Sequence, residues 1–362
     1  MKNTDTSYDV IVVGSGGSGL AAAVSAAENG LSVVVLEKQP ELGGSTGIAI
    51  GSFTANRTRY QLKAGIEDTP AAHNEDAGKF PAPEEEVKCN YDLRGFFLTK
   101  AADTMEWLIG KGISFYGPSP EPPNRVPRMH NVVPNAKAYI AILQAELLRN
   151  RGIILSNAKV RELVLSGNRV TGVLVEIGGK LLEFDAKRGV VLAAGGYTNN
   201  SDMISQFKGD NSYNLIEGIN PHEKGDGHQL AQKAGAKLIN MDLTYGPELR
   251  FVPPSRKPFS QILPSGGGLS RLMGRMLPYV PRTILNAMIK RLLVTWQHPE
   301  NSLFENGAIL VNKHGERFCN ETLYPDREIA ISHQPDKIAF IVLDKRLIKL
   351  YSEWPHYIST AP

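Results

Sequence analysis

The sequence contains little cysteine and no clustered set of metal-binding side chains. Its 362 residues include two cysteines, Cys89 and Cys319, which stand far apart and in no CxxC, CxxCH or zinc-ligand spacing, and its eight histidines are scattered. A disulfide-stabilised scaffold, a c-type haem and a structural zinc site therefore lack a ligand set. We predict no metal site from the sequence.

Long apolar runs and targeting signals are also lacking. The uncharged stretch over residues 11–27 is interrupted by glycines and serines and is unsuited to span a membrane. The first seven residues are polar, without the apolar core of a secretory signal or the arginines of a transit peptide, so we expect a cytoplasmic protein. Hydrophobic residues make up 42% and charged residues 21% of the chain, which is typical of a globular protein, and the length favours two domains.

Acidic residues are missing from one long stretch. Residues 249–299 contain no Asp or Glu but eight basic residues, a local charge of +8 against +3 for the whole chain, so the remainder carries −5. Apolar segments with interspersed Arg and Lys lie at 269–277 and 282–296. Such a stretch can lie on an anionic membrane, cover a hydrophobic substrate opening, or pack with its charges in water. Because no nucleic-acid-binding module accompanies it, we expect no nucleic-acid partner.

The strongest local signal is a glycine-rich turn between a strand and a helix near the N-terminus. A β-branched run leads into Gly14, Gly16 and Gly19 of a GxGxxG motif, a helix pattern follows, and a second strand over 31–36 ends at Glu37. This βαβ unit is typical of dinucleotide sites, because the glycines permit a tight turn, backbone approach to a pyrophosphate, and close packing of helix on strand. The helix N-terminus favours phosphates, and Glu37 can accept hydrogen bonds from ribose hydroxyls.

A second glycine pair follows the acid. Gly43 and Gly44 precede Ser45 and Thr46, which suits a second approach of backbone to a long, two-part cofactor. At this point the sequence resembles the FAD-dependent oxidoreductases of the fumarate reductase, succinate dehydrogenase flavoprotein and 3-ketosteroid dehydrogenase superfamily, which combine a glycine motif, an acid and a GGST-like loop. Covalently flavinylated members carry a His after the position of Thr46, and this sequence does not. The resemblance therefore implies non-covalent FAD.

Later motifs occur in the order that this superfamily shows. A hairpin predicted within residues 160–175 precedes a strand that ends in Gly195 and Gly196, which resembles the superfamily's AxGG(F/Y)xxN motif. Asp226 matches the Asp of its GDG turn, which contacts the flavin. From the motifs and the resemblance together, the predicted FAD-binding residues are Gly14, Gly16, Gly17, Ser18, Gly19, Glu37, Lys38, Gly43, Gly44, Ser45, Thr46, Gly51, Val160, Ala194, Gly195, Gly196 and Asp226.

Two helix patterns lie between these motifs, at about 93–111 and 136–150. Arg128 and His130 separate them, in a region where the superfamily places substrate-side residues, and either a site role or a solvated loop is consistent with the sequence. Tyr116 is a weaker candidate for catalysis. The residues predicted to form the inward stripe of the first helix are Phe97, Ala101, Met105 and Leu108.

The segment 306–327 carries the candidate catalytic residues. It predicts a strand, a turn and a second strand, and it resembles the GAIxVNxxGxRFxNE start of the superfamily's capping domain. Fumarate reductases have their proton-donating Arg at the position of Pro325, and proline cannot transfer a proton, so that reaction would need Arg327 to move in. Ketosteroid dehydrogenases have Pro-Tyr there, with Tyr as the base, whereas this chain has Tyr324 before Pro325. Tyr324 is thus a candidate acid or base, or it packs the cap.

Taken together, these patterns predict an α/β fold. We expect a Rossmann-like FAD-binding domain of the glutathione-reductase (ββα) type over 1–284, with a helical insert at about 61–150, and an incomplete α+β capping domain over 285–362. The superfamily's GLYAAGE-like return motif does not occur in the sequence, which implies a truncated flavoprotein or one whose missing half comes from elsewhere.

The resemblance implies an enzyme, a flavin-dependent oxidoreductase acting on a CH–CH bond beside a carbonyl of a small-molecule substrate, with hydride transfer to or from flavin N5. A hydrophobic, 3-ketosteroid-like substrate is preferred. The alternatives are a fumarate-reductase-like reductase of an unsaturated acid, and a catalytically silent FAD-binding fragment with peripheral membrane contact through 249–299.

Overall fold

The computed structural model describes residues 6–209, 220–243, 246–251, 267–276, 279–280 and 299–352. The chain divides into two compact units. The first unit comprises Met1–Gly196, His222–Asn240 and Pro264–Pro278, and the second comprises Tyr197–Pro221, Met241–Leu263 and Tyr279–Pro362. This grouping differs from the sequence-based division at residue 284, because two segments before that residue cluster with the C-terminal part.

The helices and strands follow each other in mixed order. In the described residues they are β1 Ser7–Val13, α1 Gly17–Glu28, β2 Val33–Leu36, α2 Gly44–Ile48, β3 Ser52–Thr54, α3 Arg59–Lys63, α4 Pro70–Ala77, α5 Pro83–Glu86, α6 Tyr91–Lys111, β4 Ser114–Ser119, β5 Met129–Val133, α7 Lys137–Arg149, β6 Ile153–Leu155, β7 Ala158–Ser166, β8 Arg169–Ile177, β9 Lys180–Leu192, α8 Ser201–Lys208, α9 Asp226–Lys233, α10 Gly267–Met276, α11 Asn301–Glu305, β10 Ile309–Val311, α12 Asp326–Ser332, β11 Phe340–Val342 and α13 Lys345–Leu350.

A six-stranded sheet forms the centre of the first unit. Its order is β6-β2-β1-β9-β8-β7, with β6, β2, β1 and β9 parallel and the β7–β8–β9 part antiparallel. All four residues of β2 are buried, as expected for a parallel strand covered on both faces. Val12 of β1 packs among residues of α1 and α7, whereas Ile11 and Val13 pack with residues of β7, β8 and β9. The predicted α/β fold is confirmed.

Most predicted elements are present, with one error in the stripe of α6. The hairpin is the antiparallel pair β7–β8, and the two helices of the insert are α6 and α7. Phe97 is 60% exposed, so its predicted place in the core is wrong. Leu98 is buried instead, together with Ala101, Met105 and Leu108. The sets with Phe97 and with Leu98 cover arcs of equal width on the helix, so the helical period alone does not select between them.

The insert encloses a cluster of buried charges. The guanidinium of Arg128 donates to the carboxylates of Asp68 and Asp76 at 2.6–2.7 Å, and all three side chains are at most 1% exposed. His130 is also buried and its Nε2 lies 3.0 Å from Thr58 Oγ1. Arg128 therefore lies neither in a solvated loop nor at a surface open to substrate, and its contacts indicate a structural role.

The second unit has its own small core. Strands β10 and β11 pair antiparallel, and apolar side chains from α11, β10, α12 and α13 pack together beside them. The predicted strand–turn–strand over 306–327 is only partly found. Its first strand is β10, but Arg317 forms an isolated bridge to Val311, and the partner strand of β10 is β11.

The described residues contain neither a candidate membrane span nor a candidate metal cluster. Among their helices, none combines the length and the apolar character that a membrane span requires. Within those same parts of the chain, His, Cys, Asp and Glu side chains form no group of three or more suited to a metal ion.

Candidate functional site

The glycine motif forms a close crossing between β1, α1 and the end of β9. Gly14 has a φ of +103°, and a Cβ there would lie 2.4 Å from the carbonyl oxygen of Ala193. A Cβ on Gly19 would lie 2.0 Å from the carbonyl oxygen of Gly14. Both distances are far shorter than a van der Waals contact, so each position requires glycine. Gly16 differs, since its added Cβ would meet its nearest atom only at 3.8 Å.

The N-terminus of α1 is arranged to receive an anion. Its N-cap residue, Gly16, has no side chain with which to cap the helix, and the first turn contains no acid. The first backbone N–H groups of a helix carry partial positive charge and need partners from outside the helix. One of them, the N–H of Gly17, donates to Thr46 Oγ1 at 3.1 Å. The remaining space at Gly16 fits backbone approach to a pyrophosphate.

We expect Gly19→Ala to lower the free energy of unfolding by about 3 kcal/mol, because the added methyl group overpacks the β1–α1 crossing. Urea unfolding measures this change. Gly95→Ala in α6 is the matched control, since its Cβ would meet no atom within 4 Å, and it should stabilise the helix by about 0.5–1 kcal/mol. Equal effects of the two substitutions would contradict the crossing described here.

Glu37 lies at the end of β2 with its carboxylate held in place. Oε2 accepts hydrogen bonds from the backbone N–H and the Oγ–H of Ser15, at 2.9 and 2.6 Å, and Oε1 accepts one from the N–H of Gln39 at 2.8 Å. The residue is 8% exposed. Because a carboxylate offers about four acceptor positions and three are occupied, one position on Oε1 remains for a ribose hydroxyl. This geometry suits the predicted role of Glu37 as an acceptor for a ribose hydroxyl.

The second glycine loop runs beside the first. Gly43 and Gly44 have φ angles of +125° and +49°, and Gly16 and Gly43 form a parallel bridge. Ser45 donates its Oγ–H to the carboxylate of Glu223. Gly51 has a different position, since its added Cβ would lie 2.3 Å from Val132 Cγ1. Glycine is required at position 51 because a larger side chain would overlap Val132. The predicted contact of Gly51 with FAD stays a prediction.

Residues 222–226 bring three predicted motifs together. The amine of Lys38 donates to the carboxylate of Asp226, the first residue of α9, and to the carbonyl oxygen of His222. The N–H of Gly225 donates to the carbonyl oxygen of Gly196 at 2.9 Å. The predicted residue Val160 is buried in β7.

Glu223 is a residue that the sequence analysis missed. Its carboxylate accepts from Ser45 and lies 3.4–3.7 Å from the places where Cβ atoms of Gly195 and Gly196 would be. It therefore touches both the loop after β2 and the loop after β9. Its position three residues before Asp226 was the only signal in the sequence.

The predicted cofactor-binding residues of the two glycine loops, Glu37, Lys38 and the segment around Gly195 thus converge at the carboxyl ends of β1, β2 and β9, whereas Gly51 and Val160 lie elsewhere. Ligands of open α/β sheets bind at this edge. An anion-accepting helix end, space at Gly16 and a fixed buried acid fit an FAD molecule, with its pyrophosphate at α1 and its adenosine ribose at Glu37. These contacts with the cofactor are inferences from the geometry.

The three predicted catalytic residues lie in different surroundings. Tyr116 is half-buried in β4, opposite Asn131 of β5. Tyr324 is 52% exposed, just before α12. Arg327 is 2% exposed.

The guanidinium of Arg327 is fully engaged within the second unit. It donates to Glu328, to the carbonyl oxygen of Glu321 at 2.9 Å and to Asn301 Oδ1 at 2.8 Å, and it lies 4.3 Å from the ring centre of Phe304. Moving it toward a substrate would break all of these contacts. The structure therefore favours a structural role for Arg327 over the proton donor considered from the sequence.

Comparison with known proteins extends these observations. A family model described as FAD binding domain matches residues 9–339. The curated NADH:fumarate oxidoreductase of Klebsiella pneumoniae (strain 342) is 30% identical over 347 residues, which are 94% of this chain and 32% of that protein. The chain therefore spans about a third of the length of this relative.

Two solved structures share the fold. A flavocytochrome c3 fumarate reductase in an open conformation matches with a TM-score of 0.73 at 24% identity, over 96% of this chain and 54% of the other. A 3-ketosteroid-Δ4-(5α)-dehydrogenase from Rhodococcus jostii RHA1 matches with a TM-score of 0.66 at 21% identity, over 99% and 71% of the two chains.

Proposed function

The chain belongs to the family of FAD binding domains, and on that premise we propose that it forms the flavin-binding part of an oxidoreductase acting on a carbon–carbon bond next to a carbonyl group. FAD supplies the hydride acceptor or donor at its N5 atom. The residues of this chain hold the cofactor without a covalent link: α1 binds the pyrophosphate, Glu37 orients the adenosine ribose, and the loops at Ser45 and Gly195 contact the remainder.

The observation that carries the substrate proposal is the contrast between Tyr324 and Arg327. Removal of a proton beside a carbonyl needs a group that can reach the substrate and exchange a proton. Arg327 is buried and committed to Glu328, Glu321 and Asn301, and Pro325 has no titratable group. Tyr324 is exposed. Of these residues the phenol is thus suited to be the acid or base, which supports a hydrophobic ketone of the 3-ketosteroid type.

A second candidate is the reduction of an unsaturated acid. The name of the Klebsiella relative, which is 30% identical, refers to fumarate. An acid substrate would need cationic side chains at its carboxylates and a proton donor other than Pro325. The reduction of an unsaturated acid therefore requires cationic side chains and a proton donor other than Tyr324, Pro325 and Arg327.

A direct test follows the flavin absorption of the FAD-loaded chain under anaerobic conditions. We expect 4-androstene-3,17-dione to bleach the oxidised flavin, whereas fumarate should not reoxidise the flavin after its reduction by dithionite. Fumarate-driven reoxidation without steroid-driven bleaching would favour the second candidate. A response to neither compound, or no uptake of FAD, would contradict the proposal for this chain.

The role of Tyr324 has its own measurement. Tyr324→Phe removes the hydroxyl and should slow flavin bleaching by about a hundredfold or more, the usual contribution of a general acid or base, with FAD affinity unchanged. Tyr91→Phe is the matched control, since Tyr91 is 49% exposed and lies in the first unit. If both variants bleach at the rate of the unsubstituted chain, Tyr324 is not the proton-transfer group.

A further inference from the structure

Helix α10 packs closely against β4 at Gly274. A Cβ added to Gly274 would lie 2.5 Å from both Cβ and Oγ of Ser114 in β4. No larger residue fits at this contact unless Ser114 moves. The glycine thus fixes which side of α10 faces the sheet formed by β3, β5 and β4.

The opposite side of α10 is apolar and open to water. Leu272 and Met276 are 53% and 58% exposed. They are four residues apart and share one side of the helix, and each is two residues, or about 200°, from Gly274. In an ordinary surface helix the apolar side faces the protein. Here it faces outward, which is the orientation expected of a helix that docks its apolar side elsewhere.

Positive charge accompanies this apolar side. Arg275, next to Met276, is exposed, and α10 contains no acidic residue. The helix lies within residues 249–299, where the sequence has eight basic residues and no Asp or Glu. A partner must therefore accept exposed aliphatic side chains beside the exposed cation of Arg275, on a helix that carries no negative charge. An anionic phospholipid surface offers acyl chains and negative headgroups together.

We propose that the outer side of α10 binds peripherally to an anionic phospholipid membrane, with Leu272 and Met276 entering the interface and Arg275 contacting the headgroups. The inference is independent of the substrate proposed above. A ten-residue helix buries only a small apolar area, so the binding is weak, reversible and sensitive to salt.

Vesicle sedimentation with the complete 362-residue chain tests the proposal. We expect the protein to pellet with vesicles of phosphatidylcholine and phosphatidylserine (about 70:30) at low salt, and the pelleted fraction to fall steeply at about 0.5 M salt because ions screen the charges. Vesicles of phosphatidylcholine alone should pellet little protein. Equal pelleting by both compositions, or by neither, would overturn the proposal, and tubes without vesicles reveal aggregation.

Variants assign the binding to α10. Arg275→Glu changes the local charge by two and should weaken vesicle binding on the order of tenfold. The double variant Leu272→Ser with Met276→Ser should abolish the vesicle-bound fraction that remains at high salt. The controls are Leu62→Ser and Lys237→Glu, which change exposed residues elsewhere in the first unit. Since all five substituted positions are exposed, circular dichroism melts should be unchanged.

Two outcomes would reject α10 as the membrane contact. If the control variants weaken binding as much as the α10 variants do, the contact is not specific to this helix. If the α10 variants bind vesicles normally but change the KM for a hydrophobic substrate, the helix covers a substrate opening instead.

Discussion

Glu37→Gln should lower the affinity of the chain for FAD by about 10- to 100-fold. The carboxylate is buried, and Ser15 and Gln39 fix both of its oxygens. One hydroxyl of the adenosine ribose can therefore donate to the remaining acceptor position on Oε1 without further ordering. Hydrogen bonds to charged acceptors contribute about 1.5–3 kcal/mol, and the neutral amide of Gln retains only one acceptor oxygen. Fluorescence quenching during titration of the apoprotein with FAD measures the change.

The comparison of FAD with FMN makes this result specific. FMN lacks the adenosine half of FAD, so a residue that holds the adenosine ribose should not alter FMN affinity. Glu41→Gln is the matched control, because Glu41 lies four residues further along and is exposed, and it should leave both affinities unchanged. An equal loss of FAD and FMN affinity in Glu37→Gln would mean that the substitution disturbs the fold of the loop rather than the ribose contact.

Arg128→Met is expected to lower the free energy of unfolding by about 3–5 kcal/mol, the cost of leaving buried charges without their partner. Arg128 donates to Asp68, Asp76 and Asn124 at 2.6–2.8 Å. Without the guanidinium, the buried carboxylate of Asp68 would lose the cation it pairs with, and that of Asp76 would lose one of three. Urea unfolding followed by circular dichroism gives the value.

An exposed ion pair provides the control for Arg128. The side chains of Arg59 and Glu106 form a bidentate pair on the surface, with Arg59 58% exposed. Arg59→Met should cost no more than about 1 kcal/mol. A loss of similar size in Arg128→Met would show that the buried cluster contributes no more than a surface pair.

The pH dependence of the same cluster gives a second readout. Burial alone would raise the pKa of Asp76, but hydrogen bonds from Lys79, Arg125 and Arg128 outweigh it and hold this pKa far below 3.8. Asp68 also has a lowered pKa, since the hydrogen bonds from Arg128 outweigh its burial. Both groups stabilise the fold above their unfolded pKa. In Arg128→Met the carboxyls can be neutralised by protonation, so the difference in stability from the unsubstituted chain should shrink as the pH falls below about 4.

His73 makes the stability of the fold depend on pH in a higher range than the two carboxyls do. Burial lowers its pKa from 6.5 to about 4 in the folded chain, and the charge of Arg128 acts in the same direction. The unfolded chain binds a proton between these values and the folded chain does not. Stability should therefore decline as the pH falls from about 6.5 to 4.

Local sterics made one part of the site predictable. The glycine motif and Glu37 could be found from the sequence because a tight turn, a close crossing and a strand-end acid each require a particular residue type, and all of these residues lie within thirty positions of one another. The structure assigns Gly14 and Gly19 the steric reasons that the motif implies. The β7–β8 hairpin was predictable for the same reason, since its strands are adjacent in sequence.

Contacts between distant segments were not predictable in this way. Arg128 meets carboxylates 60 and 52 residues earlier in the chain, and Glu223 meets Ser45 across 178 residues. Nothing in the local pattern marks such pairs, because tertiary packing decides them. The partner of β10 was missed for this reason too, since β11 lies beyond the whole of α12.

The pairing of β1 with β9 has a consequence for the order in which the protein forms on the ribosome. Val13 lies beside Leu192, its carbonyl oxygen accepts from the N–H of Ala193 at 2.8 Å, and the carbonyl oxygen of Ala193 lies directly over Gly14. Strand β1 therefore waits for a partner made some 180 residues later. At about 5–20 residues per second, the glycine loop stays incomplete for roughly ten to forty seconds of synthesis, and the nascent chain acquires its dinucleotide-binding turn only once β9 has left the exit tunnel.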